Sequence, residues 1–352
     1  MACTKCSEPF RVEAAPSKIY WVSEFDELMR KSLGFLKQLG YTLETDQGVP
    51  YVAVENGREF FITNVDAIKL LFTEHERNDI KLAVVPREAG FTYQALILAK
   101  PLQRYVNLVD DSEFFDILDN ESLTSHFQPI VRAKDRTIYG YETLIRGVKG
   151  NGELVYPGEL FDKSRRNDMT FRFDRLCRET ALKTAAVKKI SQKVFINFIP
   201  TSIYDPEFCL SSTVKWANQL EFDPKNIVFE VVETESVEDQ AHLHRILTYY
   251  RDQGFKIALD DVGAGYSNLN MLMELRPDII KVDREIISNI HTDGFKQSVY
   301  RALVSIARDN GIEVLAEGVE TPYEIEAVEA IGVDYMQGYY FSKPVPEPVR
   351  VL

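Results

Sequence analysis

Two rhythms of apolar and polar positions follow one another along the chain, and they change near residue 110. Ahead of that point Phe25, Leu28, Met29, Leu36 and Leu39 recur at helical spacing. Ser23, with Asp26 three residues on, reads as the start of that helix and Gly40 as its end. Short runs rich in aromatic and β-branched residues follow: "YTLETD", "PYVAVEN" and "REFFIT". The turns between them are "QG" and "NG", and Asn56-Gly57 reads as a hairpin turn. A helix over 65–77 and two strands, "LAVV" and "TYQALILA", complete a small α+β unit. This unit is assigned to residues 1–110, a length that can fold by itself. The stretch "NLVDDSEFFDILDN" then predicts an amphipathic helix, with Phe114, Phe115, Ile117 and Leu118 on its apolar side.

From residue 121 buried-looking strands alternate with helices. The strands are "HFQPIV", "YGYETLIRG", "VFINFI", "IVFEVVE", "KIALDD", "IIKVD", "EVLAEGV" and "YMQGYYFS". Segments between the later strands, such as 237–252 and 295–309, carry helical periodicity. Eight strands interleaved with helices predict an α/β fold, a TIM-like (β/α)8 barrel over residues 111–352. The first two strands are joined only by "RAKDRT", too short for a crossover helix, so an antiparallel first strand is expected.

Composition narrows the function classes. With 54 acidic and 41 basic residues the formal net charge is −13, which disfavours a broad nucleic-acid or anionic-membrane footprint. The cysteines, Cys3, Cys6, Cys177 and Cys209, lack the spacing of a disulfide framework. Cys3 and Cys6 resemble half of a zinc site, but no second pair follows at matching spacing. The N-terminus has neither a basic nor an apolar signal region, and no apolar run is long enough to span a bilayer. The cytoplasm is the expected location, with no membrane insertion and no nucleic-acid polymer as partner.

The barrel strands share one further feature. Each ends on or near an ionisable or amide residue: Glu142, Asn197, Glu230 with Glu233, Asp260 with Asp261, Lys281, Glu317 with Glu320, and Gln337. In a barrel those ends converge on one mouth, where such folds place their chemistry. The carboxylates Glu142, Glu230, Asp260, Asp261 and Glu317 would repel one another there. Two divalent cations together with Lys281 offset that charge, and oxygen donors without clustered His or Cys suit Mg²⁺ or Mn²⁺. Adjacent aspartates point to opposite faces of a regular strand. The glycines Gly263 and Gly265 are therefore expected to turn the backbone so that both serve one site. By the same period Arg146 lies on the face of Glu142 and can reach a phosphate. His126, His242, His244 and His291 are placed outside the mouth, and Tyr266 and Tyr339 are read as packing residues beside it.

The blocks "FQPI", "YETLIRG", "INF", "FEVVE", "LDDVGAGYSNL", "IIKVDRE", "LAEGVET" and "QGYYFSKPVP" resemble, in order and approximate spacing over residues 115–346, the EAL-domain cyclic di-GMP phosphodiesterases. The resemblance implies hydrolysis of 3′,5′-cyclic di-GMP to linear pGpG in bacterial second-messenger signalling. It implies metal ligation by Glu142, Asn197, Glu230, Asp260, Asp261 and Glu317, with Asp260 bridging two ions and Glu317 also a candidate general base. Lys281 matches the residue that positions the attacking water. Gln128, Arg146 and Gln337 match substrate contacts or site-lining residues, and Glu233 and Glu320 match acids that support the loop after Asp261. Family members also often pair through the barrel, so a homodimer is expected. This chain departs from the family pattern at Thr143 of the name motif and at Val232, Val262 and Ala264, none of which removes a charged ligand.

Two rivals remain at the level of sequence. A receptor would bind cyclic di-GMP without cleaving it. An aldolase-like barrel would use Lys281 as a Schiff base, but a ring of carboxylates opposes the lowered pKa that such a lysine needs. The first 110 residues hold no catalytic constellation and are read as regulatory.

Overall fold

The computed structural model describes residues 10–203, 205–231, 240–264 and 268–352. They form two compact units. One holds Ile117–Asp162 and Thr170–Leu352; the other holds the described chain up to Asp116 together with Lys163–Met169.

The second unit is built on a five-stranded sheet: β1 (Ser17–Val22), β2 (Leu43–Asp46), β3 (Val49–Val54), β4 (Lys81–Pro86) and β5 (Lys100–Pro101), in the order β2-β3-β1-β4-β5 with every pairing antiparallel. Side-chain alternation explains why β1 sits at its centre. Ile19 and Trp21 face a core with Phe35, Leu36, Phe61 and Ile68, while Tyr20 faces Tyr51, Ala83 and Phe91. A strand buried on both faces has no polar alternation, and the sequence reading missed it.

Three other expectations for this unit fail. "REFFIT" lies within the helix Gly57–Leu71, and Asn56 is its N-cap, accepting a hydrogen bond from the Glu59 backbone at 3.0 Å. The Asn-Gly signal is ambiguous because Asn caps helices as readily as it opens hairpins. Gly57 is needed here for proximity, since a Cβ on it would lie 2.9 Å from Ser17 Oγ. "TYQALILA" likewise forms a helix, Tyr93–Leu98, capped by Thr92. The first helix, Asp26–Gln38, begins after Phe25 with no side-chain cap, so Ser23 does not play that part.

The expected single helix at 107–120 is two, Leu102–Asp110 and Ser112–Asp119, broken at Asp111. That break has a use. Asp111 is fully buried and accepts from Arg166 Nε at 2.6 Å and Asn167 Nδ2 at 2.7 Å, with a second bond from Arg166 Nη2. Arg104 Nη1 and Asn107 Nδ2 donate to the Arg166 carbonyl at 3.0 and 3.2 Å. These bonds hold the 163–169 segment in the unit.

The barrel comprises β6 (Leu123–Arg132), β7 (Ile138–Val148), β9 (Lys193–Phe198), β10 (Ile227–Val231), β11 (Lys256–Val262), β12 (Ile279–Val282), β13 (Glu313–Ala316) and β14 (Tyr335–Met336); the short β8 (Leu154–Val155) hangs on the outer side of β7. β6 runs antiparallel to both its neighbours, β7 and β14, and the β6–β7 pairing closes the ring. This is a TIM-like (β/α)8 barrel with an antiparallel first strand. "YMQGYYFS" is strand only at its first two residues. Gly338 explains why, since a Cβ there would lie 2.0 Å from the Val319 carbonyl oxygen; the chain turns inward against that backbone. Among the described residues no helix is long and apolar enough to cross a membrane.

Inside the barrel Ile130, Tyr139, Phe195, Val228, Ala258, Ile279, Leu315 and Tyr335 form one apolar layer, one residue from each strand. This floor positions everything above it.

One consequence concerns Asp111. Its replacement by Ala removes charge-assisted hydrogen bonds, yet Arg166 is half exposed and can turn to water. Asp111→Ala should cost about 1.5–3 kcal/mol in chemical denaturation. A cost below about 0.5 kcal/mol, the size of an ordinary surface substitution, would show that the clasp contributes nothing.

Candidate active site

The site stands one pleat above the apolar floor. Asn197, Glu230, Asp260, Lys281, Glu317 and Gln337 each follow the floor residue of their strand by two positions, and Gln128 precedes Ile130 by two because β6 runs the other way. Glu142 follows Tyr139 by three. The β6–β7 pairing shifts register there, between Ile130 and Val131, and returns Glu142 to the interior opposite Gln128.

Lys281 is at the centre, buried, with Nζ 2.7 Å from Glu230 Oε1, 2.8 Å from Glu317 Oε1, 2.9 Å from Asp260 Oδ1 and 4.0 Å from Glu142 Oε2. Burial alone would lower its pKa, but Asp260, Glu142, Glu230 and Glu317 outweigh it and push it well above the ordinary lysine value. That direction opposes the lowered pKa that a Schiff-base lysine needs. Burial raises the carboxyls of Glu230 and Glu317 well above the usual range, partly opposed by Lys281.

Glu142 is held by amides. Its Oε1 accepts from Asn197 Nδ2 at 3.0 Å and its Oε2 from Gln337 Nε2 at 2.6 Å. Gln337 also donates to Gln128 Oε1 at 3.0 Å, and Gln128 Nε2 to the Ser342 carbonyl at 3.2 Å. Arg146 lies two residues beyond Leu144 on the same strand face. Its Nη1 donates to the Ile145 carbonyl at 2.8 Å, and its guanidinium lies 5.0 Å from the centre of the Tyr156 ring.

Asp260 and Asp261 do serve one cluster. Their ligand oxygens and one of Glu317 lie within 4.8 Å of one another. The device differs from the expected one. Both aspartates are still in β11, whose pairing with β12 is irregular between Leu259 and Val262, and Asp261 itself takes φ 52°. An aspartate tolerates that left-handed conformation better than most residues. Gly263 follows at φ 108°, and Gly265 lies outside the described residues.

An all-oxygen donor set, five carboxylates against one lysine, and a fully buried Glu230 whose Oε2 has no hydrogen-bond partner all fit a hard divalent cation. Asp260, Asp261 and Glu317, whose oxygens lie within 4.8 Å of one another, are the group that could hold it.

Glu320 pairs with Arg284 at 2.9 Å. Arg284 opens the short helix Arg284–Ile287, whose Ile286 lies against Gly263. Glu233 lies outside the described residues, as do Val232 and Tyr266. His126, expected outside the mouth, shares the strand face of Gln128 and stands opposite Leu144, between Glu142 and Arg146 on β7. Burial, then the Arg146 charge, lowers its pKa. The two-residue period from Gln128 was the signal that could have placed it.

Residues 112–344 match the EAL domain. The chain belongs to that family. PdeG of Escherichia coli (strain K12), named a probable cyclic di-GMP phosphodiesterase, is 28% identical over 65% of this chain; the chain covers 46% of PdeG, so it spans about half that relative's length. Among solved structures, a standalone versatile EAL protein from Vibrio cholerae O395 in its c-di-GMP bound form is 41% identical, with a TM-score of 0.59, over 65% of this chain and 94% of that one. An EAL domain protein from Listeria monocytogenes EGD-e is 30% identical, with a TM-score of 0.60, over 67% and 94%.

The EAL site carries a pH signature of its own. Burial, then the Asp260 charge, raises Asp261 from 3.8 to about 6. The folded chain thus keeps a proton that the unfolded chain releases, so this group withdraws stability as pH rises from about 4 to about 6. In protein stripped of divalent ions, Asp261→Asn should raise Tm at pH 7 and leave it unchanged near pH 4. An equal shift at both pH values would show that Asp261 is not held protonated.

Proposed function

We propose that this EAL protein hydrolyses 3′,5′-cyclic di-GMP to linear pGpG with the help of bound Mg²⁺ or Mn²⁺, two ions being what the charge balance favours. The observation that carries the reading is the Asp260–Asp261–Glu317 cluster beside Lys281, whose Nζ lies 2.9 Å from Asp260 and 2.8 Å from Glu317. The V. cholerae relative, whose described form is c-di-GMP bound, supports the choice of ligand. When bound, the cations would polarise the phosphodiester and acidify an attacking water.

The chain's own residues do the rest. Glu142, fixed by Asn197 and Gln337, cannot swing away from the mouth. Lys281 holds Glu230, Asp260 and Glu317 in place and is positioned to orient a water between them. Glu317, 2.8 Å from Lys281, is the residue that the family resemblance offers as general base toward that water. Arg146 offers a charged fork to a substrate phosphate. The reading also takes the chain to work in the cytoplasm as a homodimer paired through the barrel; the family resemblance supports the pairing.

The deciding assay incubates the full chain with cyclic di-GMP and Mg²⁺ or Mn²⁺ and separates the products by chromatography. Formation of pGpG that chelation abolishes and metal restores is expected. Full activity in excess chelator overturns the metal requirement, and tight binding without pGpG makes the chain a receptor. Asp260→Asn and Glu317→Gln should lower kcat far more than Arg146→Ala, whose loss should appear in KM, by on the order of tenfold to a hundredfold for a charged hydrogen bond. Equal loss of kcat in Arg146→Ala at saturating substrate would overturn this division.

The unit holding residues up to 116 with 163–169 is given a regulatory part. In its support, that unit grips the end of the helix Pro157–Arg166, which begins beside Arg146's neighbour Tyr156. Asp111→Ala touches no site residue, yet should change kcat or KM. Unchanged kinetics in a folded protein would leave the unit a passive appendage.

A further inference from the structure

Arg146 is 94% buried by its 6% exposure, yet it is incompletely used. Its Nη1 folds back onto the carbonyls of Ile145 and Leu144, at 2.8 and 3.3 Å, and its buried Nε has no hydrogen-bond partner. What steadies its outer end is an aromatic ring. β7 and β8 pair Gly147 with Val155 and Val148 with Leu154, and continuing that antiparallel register by one step sets Arg146 beside Tyr156. The guanidinium lies over the Tyr156 ring at 5.0 Å.

Tyr156 is itself well fixed. Its carbonyl accepts from Leu160 N at 3.2 Å, so it anchors the start of the helix Pro157–Arg166. Yet the side chain is not packed away: Tyr156 is 62% exposed, although one face is occupied by Arg146. A rigid backbone, one ring face on a cation and the other open at the rim of a polar mouth is an unusual use of a large aromatic residue.

We propose that Tyr156 is a substrate-positioning residue with two tasks. It holds the Arg146 guanidinium toward the phosphate, and its open face stacks on one purine base of the cyclic dinucleotide. A flat, electron-rich ring fixed beside a phosphate-binding arginine matches the spacing of a nucleotide, in which base and phosphate are joined through one sugar. Base–aromatic stacking tolerates any base, so Tyr156 contributes affinity and orientation, while the base edges are read elsewhere. The proposal rests on the reading of the chain as acting on cyclic di-GMP.

The test uses the full chain with cyclic di-GMP and with an analogue in which 2-aminopurine replaces one guanine. Tyr156→Leu should raise KM on the order of tenfold with kcat changed less than about threefold, and Tyr156→Phe, which keeps the ring, should restore the wild-type KM. The analogue should lose fluorescence on binding to wild-type protein by stacking, and less of it on binding to Tyr156→Leu. A double-mutant cycle separates the two tasks. If the ring only props Arg146, Tyr156→Leu has no further effect in an Arg146→Ala background; a remaining severalfold loss is expected. Wild-type KM in Tyr156→Leu, or equal quenching in both proteins, overturns the proposal while leaving the hydrolase reading intact. Absence of any cyclic di-GMP binding or turnover by the wild type overturns that reading instead.

Discussion

The ammonium of Lys281, fully enclosed among Glu230, Asp260 and Glu317, is the interaction on which the barrel mouth depends. A buried cation is tolerable only when its partners are charged, and buried carboxylates only when a cation is near. The carboxylates thus favour the charged lysine, whereas burial still holds Glu230 and Glu317 above the usual carboxylate range. Lysine suits the place because its compact head carries three donors, and three carboxylates from three different strands approach within 2.9 Å. Arginine's planar fork would pair two of them well and crowd the third. The apolar floor beneath makes this exchange strong, since Val228, Ala258, Ile279 and Leu315 exclude water from below. Only the upper side stays open to solvent and substrate.

That geometry also explains the two adjacent aspartates. In a regular strand one of them would face the helices outside. The irregular β11–β12 pairing and the left-handed φ of Asp261 bring the second carboxyl back to the mouth. The resulting proximity raises Asp261, after burial, through the charge of Asp260. Local backbone strain and electrostatic repulsion thus accumulate at the point where a dication would relieve the repulsion. The same economy appears at Glu142, where two neutral amides hold the carboxylate in place.

Much of this was legible in the sequence, for a simple reason. Parallel strands buried on both faces read as apolar runs, and a polar residue two places past a core residue stands out against them. Asn197, Glu230, Asp260, Lys281, Glu317 and Gln337 were visible in that way. Elsewhere the signals were shared between structures. Asn56-Gly57 caps a helix though the same pair opens hairpins, and the aromatic run after it belongs to that helix because Phe60, Asn64 and Ile68 share one buried face. "KIYWV" escaped notice because a central strand of a small sheet shows no alternation. "TYQALILA" forms a helix that leaves Tyr93 and Ile97 exposed, against the period that either element predicts. The placement of His126 and Tyr156 escaped the sequence because it depends on a cross-strand neighbour, which no local pattern records.

The Asp111 clasp has a consequence for how the molecule comes into being. The carboxyl that is buried in the smaller unit meets its guanidinium from a residue 55 positions later in the chain. During synthesis the five-stranded sheet is complete long before that partner exists, and at a few residues per second the interval is several seconds. Through that time the unit must carry an unmatched carboxyl at the end of the helix Leu102–Asp110. The last contact of the smaller unit forms only after β6 and β7 have emerged, so the first-made part of the protein is among the last to be finished.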